Sequence, residues 1–144
     1  MANQRELDGC YMKVAEAHAL LSKAKRKSVG CCIVTKNGVI LGGVNGMAPA
    51  GSNDLEYSVG DDLVTKPEVI HAELNCILKA AKEGVSILGA TLYTTVSCCK
   101  PCSEMVAAAG VSRVVYKERY RDADGISNLV KLKVEVEEWV DQEL

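Results

Sequence analysis

The sequence predicts a single α/β domain over residues 1–144, built on a mixed sheet of about five strands with helices on both faces. A helical hydrophobic period opens the chain, an antiparallel hairpin follows it, and from there helix and strand patterns alternate to the end. Alternation of that kind builds parallel strand pairs through crossover helices, and the hairpin makes the sheet mixed. The composition agrees: 48% apolar and 25% charged residues over 144 positions suffice for one buried core in a globular chain.

From about Glu6 to Lys25, Leu7, Tyr11, Val14, His18 and Leu21 recur at spacings of three and four. That predicts an amphipathic helix with His18 on its apolar face, as a hydrogen-bonded core histidine. The basic residues Lys23, Lys25, Arg26 and Lys27 suit its C-terminus. Val29–Thr35 and Val39–Val44 are rich in β-branched residues and are separated by Asn37-Gly38, a strong hairpin signal. Gly46 to Val69 has little periodicity and is expected as a long loop, its acids Asp54, Glu56, Asp61, Asp62 and Glu68 facing solvent. Leu74, Ile77, Leu78 and Ala81 predict the inner face of a helix opened by His71 and closed at Gly84. Thr91–Val96 then reads as a strand leading into a helix that runs to Gly110. Arg113–Tyr116 reads as a strand, Ile126, Leu129 and Val130 mark a helix, and Val134–Val140 is a last strand or extended tail.

Residues able to carry chemistry concentrate in His71-Ala72-Glu73 and Cys99-Lys100-Pro101-Cys102. Cysteines three apart at the start of a helix share a face, and the helix N-terminus favours the thiolates that bind metal. Side chains two apart do not meet along a helix flank, so a metal held by His71 lies off the first turn, where Glu73 reaches water bound to it. Two thiolates and a neutral imidazole balance a divalent cation and leave one position open, as in catalytic zinc sites. A second register, Cys98 with Cys102, also shares a helical face and stays open at this point. The same residues would also serve as a closed zinc site or a cluster of reduced thiols without chemistry.

His-x-Glu followed by Cys-x-x-Cys resembles the signature of zinc-dependent nucleobase deaminases, whose glutamate is the general acid and base. Cys98 stands where that pattern has proline, and Pro101 lies inside the motif. Adding Val29-Gly30-Cys31-Cys32-Ile33-Val34, Gly43-Val44-Asn45-Gly46-Met47 and His71-Ala72-Glu73-Leu74-Asn75, the chain from about Arg26 to Asp122 is similar to the deoxycytidylate (dCMP) deaminase family. The resemblance implies the three-layer cytidine deaminase-like fold, with Glu73 catalytic and one Zn2+ per chain on His71, Cys99 and Cys102. It implies hydrolytic deamination of dCMP to dUMP and ammonia, supplying dUMP for thymidylate synthesis. It further implies contacts from Asn45 to the sugar and from Tyr120 to the pyrimidine, with backbone around Ala72 and Ser97 to Cys99 reading the base edge. Taken without the family, Asn45 reads as a turn residue and Tyr120 as a half-buried surface aromatic.

A phosphate favours guanidinium forks, so Arg26 and Arg121, which flank the motifs, are the expected pair, with Lys27, Lys117 and Arg119 as alternatives. The family also implies homo-oligomers, a hexamer foremost. It implies control by dCTP with Mg2+ as activator and dTTP as inhibitor, through Gly43, Val44, Asn45 and Gly46, although Val44 replaces the family's tyrosine. Some relatives bind an additional zinc in the long insertion, but residues 46–70 contain neither cysteine nor histidine.

A net charge of −2 argues against a nucleic-acid partner and against tRNA adenosine as substrate. No apolar run is long enough for a membrane span. Seven cysteines without a secretory leader point to a cytoplasmic, reducing compartment, with Cys10, Cys31, Cys32 and Cys76 as free thiols. The rival activities are deamination of cytidine, deoxycytidine, tRNA adenosine or a pterin or flavin precursor. A catalytically silent, zinc-stabilised nucleotide-binding module is the non-enzymatic alternative, and the intact Glu73 speaks against it.

Overall fold

Cys31 and Ile33 face one side of the first strand and Cys32 the other, and each side of the sheet has its own buried cluster. The computed structural model describes residues 1–141; residues 142–144 of the expected domain lie outside them. The chain runs α1 Gln4–Ala19, β1 Gly30–Val34, β2 Ile40–Val44, β3 Glu56–Val59, β4 Asp62–Thr65 and α2 Ala72–Glu83. It continues with β5 Thr91–Val96, α3 Lys100–Ala108, β6 Arg113–Glu118, α4 Asp124–Lys131 and β7 Glu135–Glu138. The expected mixed five-stranded sheet is present in the order β2-β1-β5-β6-β7, antiparallel around β1 and parallel from β5 to β7. Helix α1 covers one face, packing Met12 and Ala15 on Cys32, Tyr93 and Val115. Helices α2, α3 and α4 cover the other, where Ala72, Cys76, Val106 and Leu129 join Ile33, Leu92 and Val114.

Both long helices bury a stripe rotated from the one hydropathy selects, with Tyr11, Val14 and Ile77 of the expected faces packed at its edge. On α1 the buried residues are Asp8, Met12 and Ala15, while Leu21 is 62% exposed. An acid occupies this inner stripe because Arg113 Nη1 and Nη2 donate to its two oxygens at 2.8 and 2.7 Å, and the Tyr93 hydroxyl adds a bond of 2.7 Å. Arg113 also pairs with Glu135 and Glu137, so one guanidinium ties α1 and β6 to β7. Burial pushes the Asp8 carboxyl up, but the hydrogen bonds from Arg113, Tyr93 and Gln4 outweigh it and hold the group below the usual carboxylate range.

The α1 helix also ends at Ala19, short of the expected Lys25, because Ser22 to Arg26 is claimed by tertiary bonds. His18 is half-buried and its Nδ1–H donates to the Val14 carbonyl at 2.9 Å, as expected of a satisfied histidine. On α2 the inner face is Ala72, Glu73, Cys76 and Ala80, and Leu78 is 45% exposed. Small side chains there let the helix lie on β2 so closely that a Cβ at Gly43 would stand 2.7 Å from both the Ala72 carbonyl and the Cys76 sulfur.

The stretch expected as a long loop contains the β3–β4 hairpin, turned at Gly60-Asp61. Glu56 does not face solvent; it is 6% exposed, and its Oε2 accepts the backbone N–H groups of Lys25 and Arg26 at 2.8 and 3.0 Å. The hairpin is thereby fastened to the segment that precedes β1. Among the described residues, no helix is long and apolar enough to cross a membrane.

Candidate active site

His71 and Cys99 are the N-cap residues of α2 and α3, both with extended backbone, and neither spends its side chain on capping. An N-cap side chain normally accepts a bond from its own helix; left unused, these two are available to each other. Pro101 falls in the first turn of α3, where a missing N–H costs no helical bond, which explains its place inside the motif. His71 Nδ1 lies 3.2 Å from Cys102 Sγ and 3.5 Å from Cys99 Sγ, and the three donor atoms fall within 4.8 Å of one another. Ligands bound tetrahedrally at zinc's usual nitrogen and sulfur distances stand about 3.6 Å apart, so the donor set fits that ion. Hydrogen bonds from the Cys102 thiol and from His71 hold the Cys99 thiol down to about 4, and the same sharing pushes Cys102 and His71 up. A metal entering here would displace the shared proton.

Cys98 points elsewhere. It is fully buried and stands outside that cluster. Cys99→Ser is therefore expected to lose most bound zinc while Cys98→Ser retains about one ion per chain, as measured by metal analysis of the purified variants. Glu73 is 4% exposed, and burial pushes its carboxyl above the ordinary range against the opposing pull of His71. A carboxyl raised in this way is better placed to take and return protons near neutral pH. The turn from Cys98 to Cys99 is backed by α4: a Cβ at Gly125 would lie 1.9 Å from the Cys98 carbonyl oxygen.

One cavity of about 480 Å³ brings most of the expected residues together. His71, Ala72, Glu73 and Cys99 line it, Cys102 being buried behind them, and Asn45 and Tyr120 line it too. Of the candidate cations, Arg26, Lys27, Arg119 and Arg121 reach the cavity. Lys117 does not, being bound to Glu16 and Asp141. Lys27 is paired with Glu118 at 2.8 Å and Arg119 with Glu138 at 3.7 Å. Arg26 donates to the Thr65 hydroxyl and Arg121 lies over the Tyr120 ring at 5.4 Å; among the described residues neither is paired with a carboxylate.

Asn45 has less to offer a ligand than its position suggests. Its Oδ1 accepts from the Ser22 hydroxyl and the Val29 N–H, and its Nδ2 donates to the Lys27 carbonyl, which leaves one amide hydrogen. Val44, Asn45 and Gly46 line a second cavity of about 160 Å³ together with Lys23, whereas Gly43 is sealed under α2 and does not reach it. Ser97, expected near the base edge, lines the main cavity, and its Oγ accepts the Tyr120 N–H at 2.7 Å. Two residues at the site escape sequence reasoning: Glu56 lines the cavity from the hairpin, and Cys31 reaches Glu73 from β1. Gly60-Asp61, a hairpin-type dipeptide, is the signal that would have located β3 and with it Glu56.

The family model for the cytidine and deoxycytidylate deaminase zinc-binding region matches residues 5–118. Human deoxycytidylate deaminase is 34% identical over 120 residues, which are 79% of this chain and 66% of the human protein. The deoxycytidylate deaminase of Mycobacterium phage D29 is 35% identical over 124 residues, 76% of this chain and 92% of that protein. The crystal structure of the dCMP deaminase of cyanophage S-TIM5 in complex with dCMP and dUMP matches with a TM-score of 0.88 at 43% identity, covering 96% of this chain and 100% of that one. The chain thus spans just under two thirds of the human relative's length and all of the cyanophage chain. Since the matched region runs through His71, Glu73, Cys99 and Cys102 on the fold this family uses, the chain belongs to the cytidine and deoxycytidylate deaminase family.

Proposed function

We propose that this chain hydrolyses dCMP to dUMP and ammonia. The observation that carries the reading is a single cavity lined both by the His71, Cys99 and Glu73 cluster and by the carboxylate-free guanidinium groups of Arg26 and Arg121. A base with its exocyclic amine can be acted on by the first set while the second holds a phosphate, since guanidinium forks match phosphate oxygens. A zinc ion held by His71, Cys99 and Cys102 would lower the pKa of a bound water toward ~7. Glu73 accepts a proton from the attacking water and passes it to N3 of the ring as the C4–O bond forms, then takes the second proton from the new C4 hydroxyl and delivers it to the amine as the C4–N bond breaks. Tyr120, kept half-buried beneath Arg121, offers its ring to the pyrimidine, and backbone at Ala72 lies where the base edge would be read.

Zinc-loaded protein incubated with dCMP and, separately, with deoxycytidine tests this directly: the nucleotide is expected to turn over and the nucleoside to be much poorer. Arg26→Ala with Arg121→Ala is expected to raise KM for dCMP by about 10-fold or more, with deoxycytidine turnover unmoved, because each charged hydrogen bond removed is worth roughly 1.5–3 kcal/mol. Equal turnover of both substrates, or an unmoved KM, would overturn the assignment of the phosphate to these residues.

The proposal extends to control by dCTP with Mg2+ and by dTTP, supported by the second cavity at Val44, Asn45 and Gly46 with Lys23 beside it. At about 160 Å³ it takes only part of a triphosphate, so the remainder would rest on another subunit of a homo-oligomer, a hexamer being the state that resemblance favours. All seven cysteines are unbridged, which supports work in a reducing cytoplasm.

A further inference from the structure

The last torsion of a glutamate side chain has no sharp intrinsic preference, so the plane of a working carboxylate is set by what surrounds it. At the metal side Glu73 has the open cavity. At its back it has a thiol. Cys31 Sγ, on the strand at the centre of the antiparallel pairing, lies 3.8 Å from Glu73 Oε1. Cys31 is 0% exposed and stands outside the metal cluster.

We infer that Cys31 is a positioning residue for Glu73, its S–H group fixing the carboxylate plane so that proton transfer starts from one orientation. The thiol comes from β1, an element of the fold separate from the helix that carries the carboxylate. A thiol is a weak donor, which orients the carboxylate without binding it as an ammonium or guanidinium group would. Burial keeps the sulfur in its protonated, donating form, pushing the thiol well above its ordinary range. The inference rests on the reading of Glu73 as the proton carrier, and its test has one arm that needs no turnover.

In zinc-loaded protein, Cys31→Ala and the bulkier Cys31→Val are each expected to lower kcat for dCMP by about 2- to 10-fold, the worth of one modest hydrogen bond, with KM and zinc content unchanged. Val fills the space that Ala leaves, so similar losses in both variants point to the missing donor rather than to a cavity. In the infrared S–H stretching region, the band lost in Cys31→Ala is expected to shift to higher frequency in Glu73→Gln, because a neutral amide accepts more weakly than a carboxylate. Wild-type kcat in either Cys31 variant would overturn the inference, as would a Cys31 band indifferent to Glu73→Gln. Absence of dCMP turnover in the wild-type protein, with the band shift present, would instead overturn the substrate reading and leave the bracing of Glu73 standing.

Discussion

Glu73→Ala is expected to reduce kcat for dCMP by about 10²–10⁴-fold while zinc stays bound at one ion per chain. The size follows from what the side chain does: it is the buried carboxyl whose proton affinity is raised by desolvation and which lines the cavity next to the three metal-binding candidates. Retention of zinc follows from its being outside the donor cluster, which consists of His71, Cys99 and Cys102. Binding of dCMP should change little, since the groups proposed to hold the phosphate and the ring, Arg26, Arg121 and Tyr120, lie elsewhere in the cavity lining. Metal analysis alongside steady-state kinetics checks both halves, and near-normal turnover in zinc-replete Glu73→Ala protein would remove the mechanism.

Arg113→Ala is expected to lower the unfolding free energy by about 3–5 kcal/mol, because it strands the Asp8 carboxylate 3% exposed beneath α1. The same guanidinium holds β7 through Glu135 and Glu137, so loosening should extend to the sheet edge. The pH dependence has a definite sign. A carboxyl held below its ordinary value in the folded state contributes stability above its unfolded value, near 3.8, and loses it as pH falls through the lower folded value. The advantage of the wild type over Arg113→Ala should therefore be full at neutral pH and shrink in acid below about pH 4, as followed by urea unfolding at each pH.

The features legible in the sequence are those fixed by short spacings. Asn37-Gly38 closes the β1–β2 hairpin, Thr91–Val96 is a strand from end to end, and His71, Glu73, Cys99 and Cys102 meet because each motif opens a helix at neighbouring strand ends. The inner faces of α1 and α2 were legible only at their edges, in Tyr11, Val14 and Ile77, for a common reason. Each carries a buried acid, Asp8 or Glu73, in the stripe that hydropathy assigns to solvent, and the partners that make this tolerable come from β1, β5 and β6. The β3–β4 hairpin hid because each strand is only four residues long and its apolar residues Tyr57, Val59 and Leu63 face solvent while Glu56 is buried, the reverse of what the alternation implies. Which cations are committed to carboxylates, and which remain for a phosphate, is a matter of tertiary pairing that no spacing encodes.

The contact of Gly125 with the Cys98 carbonyl sets an order on how the site can be made. Synthesis runs from the N-terminus, so His71, Cys99 and Cys102 are all in the chain before α4 is made. The turn that carries two of the sulfurs then has no wall behind it. Metal captured at that stage meets a pliable pocket, and the geometry tightens only once α4 has docked and β7 has closed the sheet edge. A chain ending before residue 125 would hold every candidate ligand and still lack the finished site.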